Sequence, residues 1–315
     1  MSPFPSIVCG VDYSDASAAA LFEAYRVASM LNSHLTVAHV VSEDELSETM
    51  RVTGLDQEAI LTGRRLRLDR FCLDTMEDRA VPSLELDVLV GYPFAMLTQL
   101  VEKQRASLLV LGSRGKSTPW THTLGSVALR CVNSAPTEVL VVRKAHDSGF
   151  KRVVAAVDFS DASHRAVKQA ATFAKANGAD LHVVHVFAPA WKQFGFEVGQ
   201  ARVDEEQVKS YLNDMHHQAA GFVCEGLDDF GGLSATIEVR EHFSIGGGLV
   251  EYLTEVDADL VVLGTQAHAP NEVKMLGSTA EYVVHDAPCS VLTVQPEGEI
   301  FHSLLSASDD TLPIS

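Results

Sequence analysis

Val11-Asp12-Tyr13-Ser14-Asp15-Ala16-Ser17 returns 146 positions later as Val157-Asp158-Phe159-Ser160-Asp161-Ala162-Ser163, identical at six of seven places. Working outward, Leu35-Thr36-Val37-Ala38-His39-Val40 is answered by Leu181-His182-Val183-Val184-His185-Val186. Leu108-Leu109-Val110-Leu111-Gly112 is answered by Leu260-Val261-Val262-Leu263-Gly264, and Gly125-Ser126 and Ala135-Pro136 by Gly277-Ser278 and Ala287-Pro288. Landmarks kept in one order at offsets of 146 to 152 residues mean an internal duplication. The expected units are 1–146 and 150–297, divided at the polar stretch from Lys144 to Gly149, with a flexible tail over 298–315 that docks at most through Phe301 and Leu304.

Inside each unit, short Val/Ile/Leu runs alternate with longer helical patterns. Strands are expected at 7–11, 35–41, 84–90, 108–111 and 138–142, and again near 153–157, 181–187, 234–240, 260–263 and 290–294. Helices are expected over Ala16 to Leu31, Asp56 to Asp78, Phe94 to Gln104 and Ser126 to Asn133. Strands alternating with helices predict an α/β fold: two tandem doubly wound domains, each a five-stranded parallel sheet flanked by helices. The stretches 42–54 and 188–202 lack periodicity and are expected to be mobile loops.

Composition narrows the function classes. A chain of 315 residues, 46% hydrophobic and 21% charged, is ordinary for a globular protein. No apolar run reaches the roughly 18 residues of a membrane span, so no membrane insertion is expected. Residues 1–6 lead into a strand without a basic leader, which points to the cytoplasm. Cys9, Cys72, Cys131, Cys224 and Cys289 show no metal-ligand spacing and read as buried small apolar residues. A net charge of −18 repels phosphate backbones, so nucleic acid is not an expected partner. The basic run Gly63-Arg64-Arg65-Leu66-Arg67 reads as the solvated face of a helix.

In an open α/β sheet, ligands sit beyond the carboxyl ends of the strands where strand order reverses. Two segments of the first copy end there: Val11-Asp12-Tyr13-Ser14, and Leu111-Gly112-Ser113-Arg114-Gly115 with Gly125-Ser126 opening the next helix. Glycines admit phosphate close to backbone amides, and a helix start presents free N–H groups and the positive dipole end. Arg114 and Lys116 add positive charge to a chain with 42 acidic residues. Gly115-Lys116-Ser117 imitates the end of a Walker A loop, but the partner glycine would have to be Val110, inside a strand, and Pro119-Trp120 follow where a helix should begin.

The spacing Gly112-x2-Gly115-x9-Gly125-Ser126 resembles the ATP-binding signature of the universal stress protein family. The resemblance extends over nearly the whole chain through Asp12, His39-Val40, Gly91-Tyr92-Pro93 and the closing run Pro136 to Val142, and is repeated in the second copy. It implies an adenine-nucleotide alpha-hydrolase-like fold and ATP as ligand, with or without Mg2+. It places Asp12, with Ser14 beside it, and the backbone near Val40 and Val41 at the adenosine end. Leu111, Gly112, Arg114, Gly115, Gly125, Ser126 and Val127 then surround ribose and phosphates. It also implies that the last strand of each copy pairs the two as an internal pseudo-dimer, with a further homodimer left open. In the second copy Asp158, Gly264, Gly277 and Ser278 keep their places, but Ala267 replaces the middle glycine, Pro270 and Glu272 enter the loop, and Gly91-Tyr92-Pro93 has no counterpart. That site is therefore expected to be poor for ATP.

Remaining features have plainer readings. Asp12 and Asp158 are turn or helix-capping residues or ligand contacts. His39 and His185, inside apolar strands, are satisfied core histidines. His216-His217 are adjacent on a helix and share no face. Gly246-Gly247-Gly248 reads as a flexible entry into a helix beginning at Leu249. No catalytic constellation emerges. The leading expectation is a nucleotide-binding stress-response module acting through conformation or partner binding. A slow ATPase or related nucleotide-processing enzyme, and a scaffold whose second copy binds another ligand or nothing, stay open.

Overall fold

The computed structural model of the protein describes residues 3–76, 83–115, 124–189, 205–227, 230–265 and 276–295. The expectations made for Lys116, Pro119 and Trp120, for 190–202, for Ala267, Pro270 and Glu272, and for the tail lie outside them.

The first half runs β1 (Ser6–Val11), α1 (Asp15–Leu31), β2 (His34–Val41), α2 (Glu43–Thr53), α3 (Gln57–Met76), β3 (Ser83–Val90), α4 (Pro93–Gln104), β4 (Leu108–Gly112), α5 (Ser126–Ser134) and β5 (Glu138–Val142). The second runs β6 (Arg152–Ala156), α6 (Asp161–Asn177), β7 (Asp180–Phe187), α7 (Glu205–Leu227), β8 (Ala235–Glu241), α8 (Ile245–Glu255), β9 (Leu260–Gly264), α9 (Ser278–Asp286) and β10 (Ser290–Val294). The ten strands form one sheet in the order β3-β2-β1-β4-β5-β10-β9-β6-β7-β8. Each half is parallel throughout. The seam is antiparallel, with Val291, Leu292 and Thr293 opposite Val141, Leu140 and Val139.

Helices cover both faces, and each core continues across the seam. On one side Phe4 and Phe150 lie about Phe173, at 5.9 and 6.1 Å between ring centroids. On the other, Val139 and Val141 share a cluster with Val291, Val261 and Val283. Side-chain latches flank the seam. Arg143, just after β5, donates to the Val284 and His285 carbonyls at 2.8 and 2.7 Å, the end of α9. Gln295, in the matching place after β10, donates to the Ala135 carbonyl at 2.6 Å, just past α5.

The stretch 42–54 is helical, against the expectation of a loop. Ser42 accepts from the Glu45 amide at 3.1 Å, Glu43, Asp44 and Glu45 occupy the positive end, and Gly54 closes the helix at φ 71°. Ser42-x-x-Glu45 is a capping-box pattern, and it outweighs the weak apolar periodicity of α2, which buries only Leu46. The triple glycine also departs from expectation, because α8 already begins at Ile245, capped by Ser244 on the Gly247 amide at 3.2 Å. Added Cβ atoms would stand 2.9 Å from Tyr282 at Gly246 and 2.7 Å from His242 at Gly248. These glycines permit close packing. Four cysteines are buried as expected, but Cys224 is exposed on α7.

Candidate functional site

The repeated motif builds the same turn in both halves. Asp12 Oδ1 accepts from the Ser14 amide at 3.0 Å and the Ser14 hydroxyl at 2.6 Å, while Ser14 Oγ accepts from the Ser17 amide and caps α1. Asp158, Ser160 and Ser163 repeat these bonds ahead of α6. The aromatic residue between them is left-handed, with φ 65° at Tyr13 and 64° at Phe159. Such a conformation in a non-glycine residue is held by its surroundings. Tyr13 rests on His39 (4.3 Å) and edge-on to Phe71, with the Arg67 guanidinium over its ring at 4.2 Å; Phe159 rests on His185 and Phe222. Burial pushes the Tyr13 hydroxyl up to about 12, opposed by Arg67 and Arg64. The two histidines anchor to the same backbone, His39 Nδ1 to the Val11 carbonyl at 2.9 Å and His185 Nδ1 to that of Val157 at 2.8 Å. Burial lowers the His185 pKa, against the Val157 bond and Asp158. The turn geometry of Asp12 and Asp158 is therefore structural, and it leaves Asp12 Oδ2 facing the loop after β4.

That loop is fixed at both ends, by the Ser113 amide on the Val142 carbonyl (2.9 Å) and the Gly125 amide on the Ser113 carbonyl (2.8 Å). Gly112 is required by packing, since a Cβ there would lie 2.6 Å from the Ala16 carbonyl oxygen of α1. At Gly264 an added Cβ would meet the Ala162 side chain at 2.8 Å. Gly115 is required by the site itself, because its Cβ would lie 2.8 Å from Asp12 Oδ2. Gly125 caps α5 without a side chain. The first-turn amides of α5 therefore lack the hydroxyl that Ser14, Ser42, Ser160 and Ser244 give their helices.

Asp12, Gly112, Arg114, Gly115, Gly125, Ser126 and Val127 line one cleft, over the ends of β1 and β4, with Val40 and Leu111 on its walls. This is the point at which strand order reverses. The cleft has a volume of about 150 Å3 and is open on one side, so a nucleotide-sized ligand would extend beyond its mouth. Ser14 acts behind the cleft as a cap. Val41 faces away, packed with Leu46 and Ile60, and its carbonyl accepts from the Gly91 amide. Ala38, Pro93 and Leu97 supply an apolar wall. Sequence reasoning missed Ala38 and Leu97, although period two from Val40 and the α4 pattern starting at Pro93 contain them. Asp12 is the one acidic residue among the described lining. Arg114 Nε is buried without a hydrogen-bond partner.

In the second half, Gly264, Gly277 and Ser278 hold the matching backbone positions, and Gly277 likewise caps α9 without a side chain. Asp158 is exposed where Asp12 is half-buried. Among the described residues, no group of three His, Cys, Asp or Glu could hold a metal ion, and no helix is long and apolar enough to cross a membrane.

Two duplicated, parallel, doubly wound halves with a glycine-lined cleft at the switch point define a tandem α/β protein. The chain belongs to the universal stress protein family, whose sequence profile matches it twice, over residues 3–143 and 149–295. Universal stress protein A homolog 1 of Coxiella burnetii is 29% identical over 157 residues, spanning 46% of this chain and 96% of its own. A universal stress protein of Methanocaldococcus jannaschii is 28% identical over 151 residues, 46% of this chain and 82% of its own. Among solved structures, a universal stress protein from Archaeoglobus fulgidus superposes with a TM-score of 0.66 at 19% identity, over 95% of this chain and 100% of its own. A putative universal stress protein from Pseudomonas aeruginosa superposes with a TM-score of 0.62 at 18% identity, over 93% and 94%. These likenesses establish the fold along the whole length.

Proposed function

We propose that the first half binds an adenine nucleotide, ATP, in the cleft between β1 and β4, and that the protein acts as a regulatory binding module. The observation that carries this reading is the uncapped start of α5 facing the same cleft as Arg114, Gly115 and Asp12. Free amides at a helix start and a guanidinium favour phosphate oxygens. Gly115 leaves room at Asp12 that any side chain would fill. Phosphate recognition rests on this geometry, and the choice of adenine rests on the family resemblance. The apolar wall of Ala38, Val40 and Leu97 suits a base, and Asp12 Oδ2 suits a ribose hydroxyl or Mg2+. The second half, with Ala267 for Gly115 in sequence, is read as a weak site or none.

Calorimetric titration of the full chain with ATP and with adenosine tests this. Gly115→Val should abolish ATP binding with the fold retained. Arg114→Glu should weaken ATP more than adenosine. Unchanged ATP affinity in Gly115→Val would overturn the site, and equal losses for both ligands would remove Arg114 from phosphate recognition. Turnover of labelled ATP separates a binder from a slow ATPase.

A further inference from the structure

A second cavity, of about 520 Å3, lies between the two halves beside the seam. The first half contributes Asp15 and Ala16 from the start of α1, with Arg114, Arg143 and Lys144. The second contributes His285 and Asp286 from the end of α9. We propose that this interdomain cavity is a binding site for a phosphate-class oxyanion, held by Arg143, Lys144 and the first turn of α1, with Arg114 in the wall shared with the nucleotide cleft.

Three observations carry it. First, Arg114, Arg143 and Lys144 line one cavity against only two carboxylates among its described lining, Asp15 and Asp286, and an anion there would balance the excess positive charge. Second, the cations repel each other. Burial lowers the Arg143 pKa and the Arg114 charge lowers it further, against Cys289 and Asp286. An anion between like charges removes that repulsion. Third, the charge is one-sided. Arg143 caps the end of α9, but Gln295 performs the matching latch on Ala135 with no charge at all. At an offset of 152, Arg114, Arg143 and Lys144 correspond to Gln266, Gln295 and Pro296. A latch alone does not need three cations, least of all in a chain of net charge −18. The first-turn amides of α1 at Asp15 and Ala16 lie at the positive end of a 17-residue helix. Asp15 and Asp286 set the opposite sign at the rim, which favours a compact oxyanion over an extended polyanion.

The site stands independently of the nucleotide reading. Its test is calorimetric titration of the full chain with inorganic phosphate at constant ionic strength, on wild type, Arg143→Gln, Lys144→Gln and Gly115→Val. Arg143→Gln copies the chemistry of Gln295 and so keeps an amide for the α9 latch. Lys144 is exposed, so Lys144→Gln is safe for folding. Phosphate affinity should fall about tenfold or more in Arg143→Gln, and measurably in Lys144→Gln, while Gly115→Val, which removes any phosphate held in the nucleotide cleft, keeps the binding that Arg143→Gln loses. Repeating the titration on ATP-saturated protein separates the sources. Phosphate binding that persists means a free anion, and binding displaced by ATP in wild type but insensitive to adenosine means that the nucleotide's own terminal phosphate reaches the cavity. Either outcome upholds the oxyanion chemistry. Binding unaffected by both Arg143→Gln and Lys144→Gln, binding lost only in Gly115→Val, or no binding up to about 10 mM phosphate would overturn it.

Discussion

Gly112 and Gly115 belong to one sequence signature, yet the structure gives them different jobs that a pair of alanine substitutions separates. At Gly112 an added methyl would sit 2.6 Å from the Ala16 carbonyl oxygen and 2.7 Å from its carbon, about 0.8 Å inside the 3.4 Å where ordinary contact begins. Both are backbone atoms in the first turn of α1, which Ser14 and Asp12 hold in place. No rotamer change relieves the clash. Gly112→Ala should therefore cost what overpacking costs, about 1–3 kcal/mol, and lower the melting temperature by roughly 3–10 °C. Among the described residues the methyl at Gly115 would meet only Asp12, with Oδ2 at 2.8 Å, a side-chain end that shifts against the two bonds Ser14 gives to Oδ1 and not a fixed backbone. Gly115→Ala should cost within about 1 kcal/mol of stability. Its price falls on the ligand: displacing Asp12 into the cleft should weaken ATP about tenfold, or about 1.4 kcal/mol. Urea and thermal unfolding, with ATP calorimetry, on both variants is the assay. A Gly112→Ala protein melting within about 1 °C of wild type, or a Gly115→Ala protein as destabilised as Gly112→Ala, would refute this division of labour.

Four further outcomes are expected. Burial pushes the Glu138 carboxyl up to about 7, against the Arg165 charge and the bonds from Gln169 and Arg165, so the folded chain keeps a proton that the unfolded chain releases from pH 4.5 upward. The stability this group contributes is full below about pH 4.5 and is lost as pH rises through about 7, so urea unfolding of Glu138→Gln should gain on wild type between pH 5 and pH 8, by on the order of 3 kcal/mol, and an equal difference at both pH values would contradict it. For His185 the folded pKa is depressed, so its contribution is present above pH 6.5 and falls as pH drops; His185→Gln should show a flatter acid limb in the same assay. Native mass spectrometry should find one tightly held ATP per chain, and two equal sites would refute the asymmetry of the halves. A separately expressed 1–146 fragment, which exposes the edge of β5, should self-associate in sedimentation velocity, and a monomer at high concentration would count against the seam as a sticky edge.

The duplication, all ten strands and the parallel order within each half were legible because buried parallel strands carry unbroken apolar runs, as in Leu108-Leu109-Val110-Leu111. The helix at 43–53 escaped because its evidence is in its ends, Ser42 and Gly54, rather than in an apolar stripe. The cleft was half legible. Gly112, Gly115, Gly125 and Asp12 do converge, but sequence cannot say that Gly112 serves α1 and Gly115 serves the site, since both are simply glycine. Val40 and Val41 were named for their backbone; of their side chains, which face opposite sides of the strand, that of Val40 lines the cleft and that of Val41 packs with Leu46 and Ile60. The interdomain cavity was invisible in sequence, because His285 reaches Arg114 and Arg143, which follow the adjacent strands β4 and β5, only across the seam.

The antiparallel seam also imposes a timetable on biosynthesis. The mate of β5 is β10, the last strand to leave the ribosome, roughly 150 residues after β5 itself. At about 5–20 residues per second, β5 waits some 8–30 s with its hydrogen-bonding edge unmatched. On a polysome the nearest free edge of the right shape is then the β5 of the neighbouring nascent chain, a rival for the strand that has not yet been made.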